Sequence, residues 1–242
     1  MYSVTKNKSK KLLWLSAAII IFLIAGCSNG STPASNPPID DRAIVCFGDS
    51  LTEGFGASRP GSVDKSKSYP AFLQSKVNVN VVNAGISGDT TADSLARLEK
   101  DVISINPQMV IVILGGNDFL NRQSAANAKD NYKAIINRLK SENIKVYFAG
   151  FIGDADWEAE YLKMIPEFLV PDTLSRLNQY KDIYASLHSE NPDIGYISNI
   201  WAGIGLSEMS DLIHPNEKGY KKMAETIFTE IKPYLQENSL VK

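Results

Sequence analysis

Met109–Leu114 reads MVIVIL and runs straight into Gly115-Gly116-Asn117-Asp118. Six apolar residues in succession, mostly β-branched, describe a strand buried on both faces, as in a parallel sheet. The glycines and polar residues behind it mark where the strand must stop and turn. The same phrase recurs in both directions. Ala43–Phe47 (AIVCF) precedes Gly48-Asp49-Ser50-Leu51, and Val79–Val82 precedes Asn83-Ala84-Gly85-Ile86-Ser87-Gly88-Asp89-Thr90. Val146–Ala149 and Ile194–Ile197 are two further runs, and Asp211-Leu212-Ile213-His214-Pro215 follows the last of them.

Helical spacing fills the intervals. Leu95, Leu98, Val102 and Ile105 share one face, as do Tyr132, Ile135, Ile136 and Leu139. A last helix from about Glu217 aligns Tyr220, Met223, Ile227, Ile231 and Tyr234. Strands alternating with helices predict an α/β fold: a doubly wound, five-stranded parallel sheet with helices on both faces. Ligands of such folds bind outside the carboxyl ends of the strands, so the polar segments above converge on the expected site.

The 242 residues suit one ordinary domain, and 25 Lys and Arg against 27 Asp and Glu give no basic surface for nucleic acid. Two cysteines build neither a disulfide framework nor a four-ligand zinc site, and the acids of the strand-end segments form no metal-ligand cluster. The first 26 residues hold four lysines and no acid, so without them 21 basic residues face 27 acidic ones. Leu12–Ala25 is apolar apart from Ser16, too short for the roughly 18 to 20 residues of a membrane span. A basic start and a short apolar core read as a secretory signal. Ile24-Ala25-Gly26-Cys27 resembles the bacterial lipobox, which implies lipidation at Cys27 and attachment to a membrane outside the cytoplasm; an uncleaved anchor is the alternative. Ser28–Pro38 (SNGSTPASNPP) has no aliphatic side chain larger than alanine and reads as a tether. The expected boundaries are therefore 1–26 leader, 27–41 tether and 42–242 folded domain. Cys46, alone in an apolar strand, reads as packing.

The strand-end segments supply the roles of acyl transfer. Ser50 needs a base, and His214 is one of only two histidines; the other, His188, reads as a surface residue near a helix end. Asp211, three residues earlier, can hold the imidazole. The backbone N–H groups of Ser50 and Gly88 and the amide of Asn117 are the available oxyanion donors. The order Ser, Asp, His also occurs in α/β-hydrolases, but their G-x-S-x-G elbow is missing here: the window is Gly48-Asp49-Ser50-Leu51-Thr52.

Four blocks, Gly48-Asp49-Ser50-Leu51, Ser87-Gly88-Asp89-Thr90, Gly115-Gly116-Asn117-Asp118 and Asp211-Leu212-Ile213-His214-Pro215, resemble in order those of the GDSL family of SGNH hydrolases, within it the bacterial esterase, lysophospholipase and acyl-CoA thioesterase types. The resemblance spans residues 44–220. It implies Ser50 as nucleophile, Asp211 and His214 completing a triad, Gly88 and Asn117 in the oxyanion hole, a flavodoxin-like three-layer fold and no cofactor. The expected partner is a small-molecule or lipid acyl ester, and the sequence sets no oligomeric state. A carbohydrate O-deacetylase of the same fold, or a lipoprotein binding module without activity, are the competing readings. Asp49 and Asp118 read as supports. Trp157, Tyr161, Met164, Ile165 and Phe168 fall at helical spacing within 156–169, either as an acyl-chain wall or as core, and the polar loop 57–68 reads either as a rim of the site or, with its lysines and Arg59, as a solvated loop.

Overall fold

Each of the five apolar runs is a strand. The computed structural model describes residues 42–242; the expected leader, Cys27 and the tether to residue 41 lie outside the described residues. In chain order the elements are β1 (Ile44–Gly48), α1 (Ser50–Glu53), α2 (Tyr69–Gln74), β2 (Val81–Gly85), α3 (Thr91–Asp101), β3 (Met109–Ile113), α4 (Gly116–Leu120), α5 (Ala125–Ser141), β4 (Lys145–Ala149), α6 (Ala155–Lys163), α7 (Val170–Glu190), β5 (Gly195–Ile197) and α8 (Glu217–Glu237). All strands are parallel, in the order β2-β1-β3-β4-β5.

Alternation along the strands sorts the core into two halves. Val45, Phe47, Val110, Val112, Val146 and Phe148 pack beneath α3, α5 and α7. Ile44, Cys46, Met109, Ile111 and Ile113 pack beneath α2 and α8, where Tyr220, Met223, Ile227 and Ile231 are fully buried. This is the three-layer α/β/α arrangement that the sequence predicts.

Two boundaries differ from the sequence reading, each for a physical reason. The second strand starts at Val81 and takes in Asn83, Ala84 and Gly85, which the periodicity places in the following turn. Its pairing with β1 runs in register to Gly48↔Gly85, and Asn83 is tolerated because its amide donates to Thr52 O at 2.9 Å and Ser68 Oγ at 3.1 Å. The helix of 156–169 stops at Lys163, ahead of Pro166, and Phe168 sits in a 3-10 turn, 81% exposed. The helix bearing His188 runs from Val170 to Glu190 and exposes that side chain near its end, as the sequence predicts. On α8, Leu235 rather than Tyr234 completes the buried stripe.

Cys46 is fully buried in β1, and burial pushes its thiol up to about 12 against an opposing hydrogen bond to Tyr69. A thiol so buried has no exposed thiolate to react. Iodoacetamide at pH 8 should leave the Cys46 peptide unmodified in native protein and alkylate it in urea, read by peptide mass spectrometry. Modification at equal rates in both would contradict the packing role.

Candidate active site

The first strand ends by handing its chain to a single turn of helix. Asp49 is the N-cap of α1: its Oδ1 accepts the Leu51 N–H at 3.0 Å. Ser50 is therefore the first helical residue, and the capping role open to a serine there is taken by its neighbour. Gly85 at the end of β2 lets this turn lie close, since a Cβ on it would meet Glu53 N at 2.3 Å.

His214 arrives from a segment 164 residues away. Its Nε2 stands 3.0 Å from Ser50 Oγ, and its Nδ1 stands 3.0 and 2.9 Å from the two carboxylate oxygens of Asp211. The acid is braced in turn: Oδ1 accepts the N–H groups of Ile213 at 2.9 Å and His214 at 2.8 Å. Burial pushes the Asp211 carboxyl up, but those backbone donors and the imidazole outweigh it and hold the group below the usual carboxylate range. With Asp211 ionised, Nδ1 must donate, which leaves Nε2 to accept the Ser50 hydroxyl. Phe55 packs on the imidazole, ring centroids 4.5 Å apart, and the Tyr220 hydroxyl donates to Phe55 O at 2.8 Å.

Gly88 and Asn117 face the same space. Gly88 has φ +90°, a conformation suited to glycine, and a Cβ there would meet nothing within 4 Å, so its backbone borders open cavity. Asn117, on the first turn of α4, donates through Nδ2 to Asp89 O at 2.9 Å and over a longer 3.5 Å to Asp49 Oδ2, which fixes the amide's direction. The supports are specific. Asp118 is fully buried and accepts from Thr91 N at 2.9 Å and Thr91 Oγ1 at 2.6 Å, tying α4 to α3. Glu53 Oε2 accepts from Ser87 N at 2.9 Å and Ser87 Oγ at 2.6 Å.

Arg97 binds these parts together, and the sequence reading passes over it. Its guanidinium donates to Asp89 Oδ2 at 2.5 Å, Ala84 O at 2.9 Å and Gly48 O at 2.9 Å while lying 4.5 Å over the Phe47 ring. One fork thus ties the end of β1, the end of β2 and the Gly88 loop. The i,i+4 partner Asp101 is legible in the sequence; the carbonyl contacts exist only once the strands are side by side.

A cavity of about 250 Å³ opens at Ser50, Gly88, Asn117 and His214, walled by Leu51, Phe119, Leu120, Phe151, Trp157, Tyr161, Trp201 and Ile213. Of the expected 156–169 wall only Trp157 and Tyr161 reach it; Met164 and Ile165 pack against the core. Phe55 lines it, whereas no residue of the loop 57–68 does. Among the described residues no group of three His, Cys, Asp or Glu side chains is placed to hold a metal ion.

A serine, an imidazole and a carboxylate in one hydrogen-bonded line, with Gly88 and Asn117 beside it at the rim of an apolar cavity, form the arrangement of a serine-type acyl hydrolase. Residues 46–222 match the sequence model of the GDSL-like Lipase/Acylhydrolase family, and the chain belongs to that family. It is 24% identical over 201 residues to the esterase TesA of Pseudomonas aeruginosa, a match covering 80% of this chain and 90% of that one. It is 32% identical over 138 residues to thioesterase 1/protease 1/lysophospholipase L1 of Escherichia coli K12, covering 53% of this chain and 64% of the relative. The solved crystal structure of TesA superposes with a TM-score of 0.64 at 25% identity, covering 79% of this chain and 98% of that one. The protein is thus a GDSL-type esterase with the SGNH-hydrolase fold.

Asp49 is 2% exposed, and that burial pushes its carboxyl up to about 7; the Leu51 N–H opposes the rise, and the charges of Asp118 and Asp89 add to it. An acid that ionises near 7 when folded and near 4 when unfolded keeps its proton in the folded state alone between those values. Unfolding there releases a proton, so stability falls as pH rises from about 4 to about 7 and is level above. Asp49→Asn mimics the protonated acid and should remove this slope. By urea denaturation, its stability relative to wild type should improve between pH 4 and 7.5 by at most on the order of 4 kcal/mol. A difference independent of pH would mean that Asp49 is already ionised.

Proposed function

We propose that Ser50 attacks the carbonyl of an acyl ester or thioester, with His214 taking the hydroxyl proton and Asp211 holding the imidazole and its developing charge. The N–H groups of Ser50 and Gly88 and the Asn117 amide stabilise the tetrahedral oxyanion. His214 then returns the proton to the departing group, and water releases the acyl-enzyme by the same relay in reverse order. The observation that carries this reading is the unbroken line from Asp211 through His214 to Ser50 Oγ, each link 3.0 Å or shorter. The apolar cavity beside that line favours substrates with an apolar acyl chain over acetylated sugars. Relatives named esterase and thioesterase 1/protease 1/lysophospholipase L1 agree with (thio)ester chemistry, while two others named acetylxylan esterase support the alternative of a carbohydrate O-deacetylase.

Substitutions test the roles. His214→Ala should lower kcat by on the order of 10³ or more, whereas His188→Ala, exposed on α7, should leave it nearly unchanged. The reverse outcome would reassign the base. Asn117→Ala should lower kcat by roughly 10² to 10³ with little change in KM, because the donor acts on charge that exists only in the transition state. A near-normal kcat would return Asn117 to a turn-forming role.

The same proposal places the enzyme outside the cytoplasm as a lipoprotein held through Cys27, and it rests on Ile24-Ala25-Gly26-Cys27 behind a basic and apolar leader. Intact mass of the membrane-extracted protein should show a diacylglyceryl-modified Cys27 at the mature N-terminus, abolished in Cys27→Ser. An unmodified N-terminus upstream of residue 27 would contradict it.

A further inference from the structure

The catalytic cavity has a neighbour. Trp157 is stacked between Tyr161, at 5.3 Å and 3°, and Trp201, at 5.4 Å and 26°, and these three rings border both the catalytic cavity and a second one of about 370 Å³. The partition is built rather than loose. Asp154 caps α6 by accepting Trp157 N at 3.0 Å and accepts Asn199 Nδ2 at 3.1 Å, while Asn199 Oδ1 accepts Trp201 N at 2.9 Å. The indole N–H of Trp201 donates to Phe151 O at 2.8 Å.

The far wall of the second cavity is the segment that carries the base: Met209, Asp211 and Leu212 line it, just ahead of His214. Chemistry then orients the substrate. The group that receives a proton from His214 must leave on the histidine side, while the acyl chain runs past the oxyanion donors toward Phe119, Leu120 and Phe151. We propose that the second cavity is the leaving-group subsite, and that it selects leaving groups with an apolar body and no negative charge near the ester oxygen. This rests on the ester-hydrolase reading above. The bodies it presents are Met164, Ile204, Leu206 and the aromatic partition. Its charged lining is Asp154, Glu160 and Asp211, with no lysine or arginine. Lys163 is paired to Glu160 at 2.6 Å, and Lys222, which also donates to Gly203 O of the lining at 2.6 Å, is paired to Glu208 at 3.0 Å. An anion there would face three carboxylates and only ammonium groups already paired to acids, and like charges brought together oppose binding.

The test uses three aryl esters with one acyl chain and one ring, carrying a neutral, a trimethylammonium or a sulfonate substituent. Each kcat/KM is divided by the same ester's rate constant with hydroxide, which removes intrinsic reactivity. The neutral and cationic esters should exceed the sulfonate by about tenfold or more at low salt, with the gap shrinking at high salt as screening grows. Leu206→Arg, at a position 63% exposed and therefore tolerant, should narrow the gap at least fivefold. It should leave discrimination against an ester with its negative charge on the acyl end unaltered. Equal relative rates for all three esters, or an arginine effect on the acyl-end charge instead, would overturn the leaving-group assignment and leave the hydrolase reading intact. No turnover of any ester would overturn both.

Discussion

Every strand of the sheet points the same way, so every strand leaves it at the same edge. That constraint brings Ser50, Gly88, Asn117 and His214 together, although they lie on four segments spread over 164 residues. A parallel sheet needs helices on both faces to cover it, and those helices push the chemistry to the one edge where loops can meet. The remaining task is to fix the loops against each other. Arg97 does this for the ends of β1 and β2 and the Gly88 loop, Asp118 for α4 against α3, and Glu53 for the nucleophile turn against Ser87. Each tie joins charged or buried polar groups to backbone, so the site is held by bonds that stay strong away from water.

Two carboxylates near the nucleophile are driven in opposite directions by their surroundings. Asp49, sealed under the turn with Asp118 and Asp89 nearby, has its carboxyl raised to about 7. Asp211, half-exposed and accepting two backbone N–H groups and the imidazole, is held low and stays charged. The difference suits their positions. A charge is wanted where an imidazolium forms and unwanted beside an oxyanion, and Asn117 Nδ2 lies 3.5 Å from Asp49 Oδ2. Local environment thus separates a carboxyl that is raised from one that is held low and charged, a distinction that residue type alone does not make.

Much of this was legible in the chain. The strands announced themselves because continuous apolar runs such as MVIVIL have few other uses, and the first three ended in glycine-containing polar segments. The blocks carrying Ser50, Gly88, Asn117 and His214 were readable because each holds a residue type with a chemical reason to sit at a strand end. What periodicity could not convey was tertiary. Asn83 looked like a turn residue because its partners, Thr52 O and Ser68 Oγ, come from another part of the chain. Arg97 carried no signal because the carbonyls it binds belong to the ends of β1 and β2. Trp201 and Phe151 gave no sign of joining Trp157 at the cavity, and Phe168, at the right helical spacing, was carried off because the helix ends at Lys163, ahead of Pro166.

The central claim is that one serine, set at the start of α1 and hydrogen-bonded to His214, forms the covalent bond to the acyl group. The most direct measurement is intact mass spectrometry with peptide mapping after treatment with a fluorophosphonate, which traps an activated serine as a stable adduct. The account predicts a single adduct, located on Ser50, absent from Ser50→Ala and strongly slowed in His214→Ala. An adduct of equal yield in Ser50→Ala, or one mapping to another residue, would contradict it.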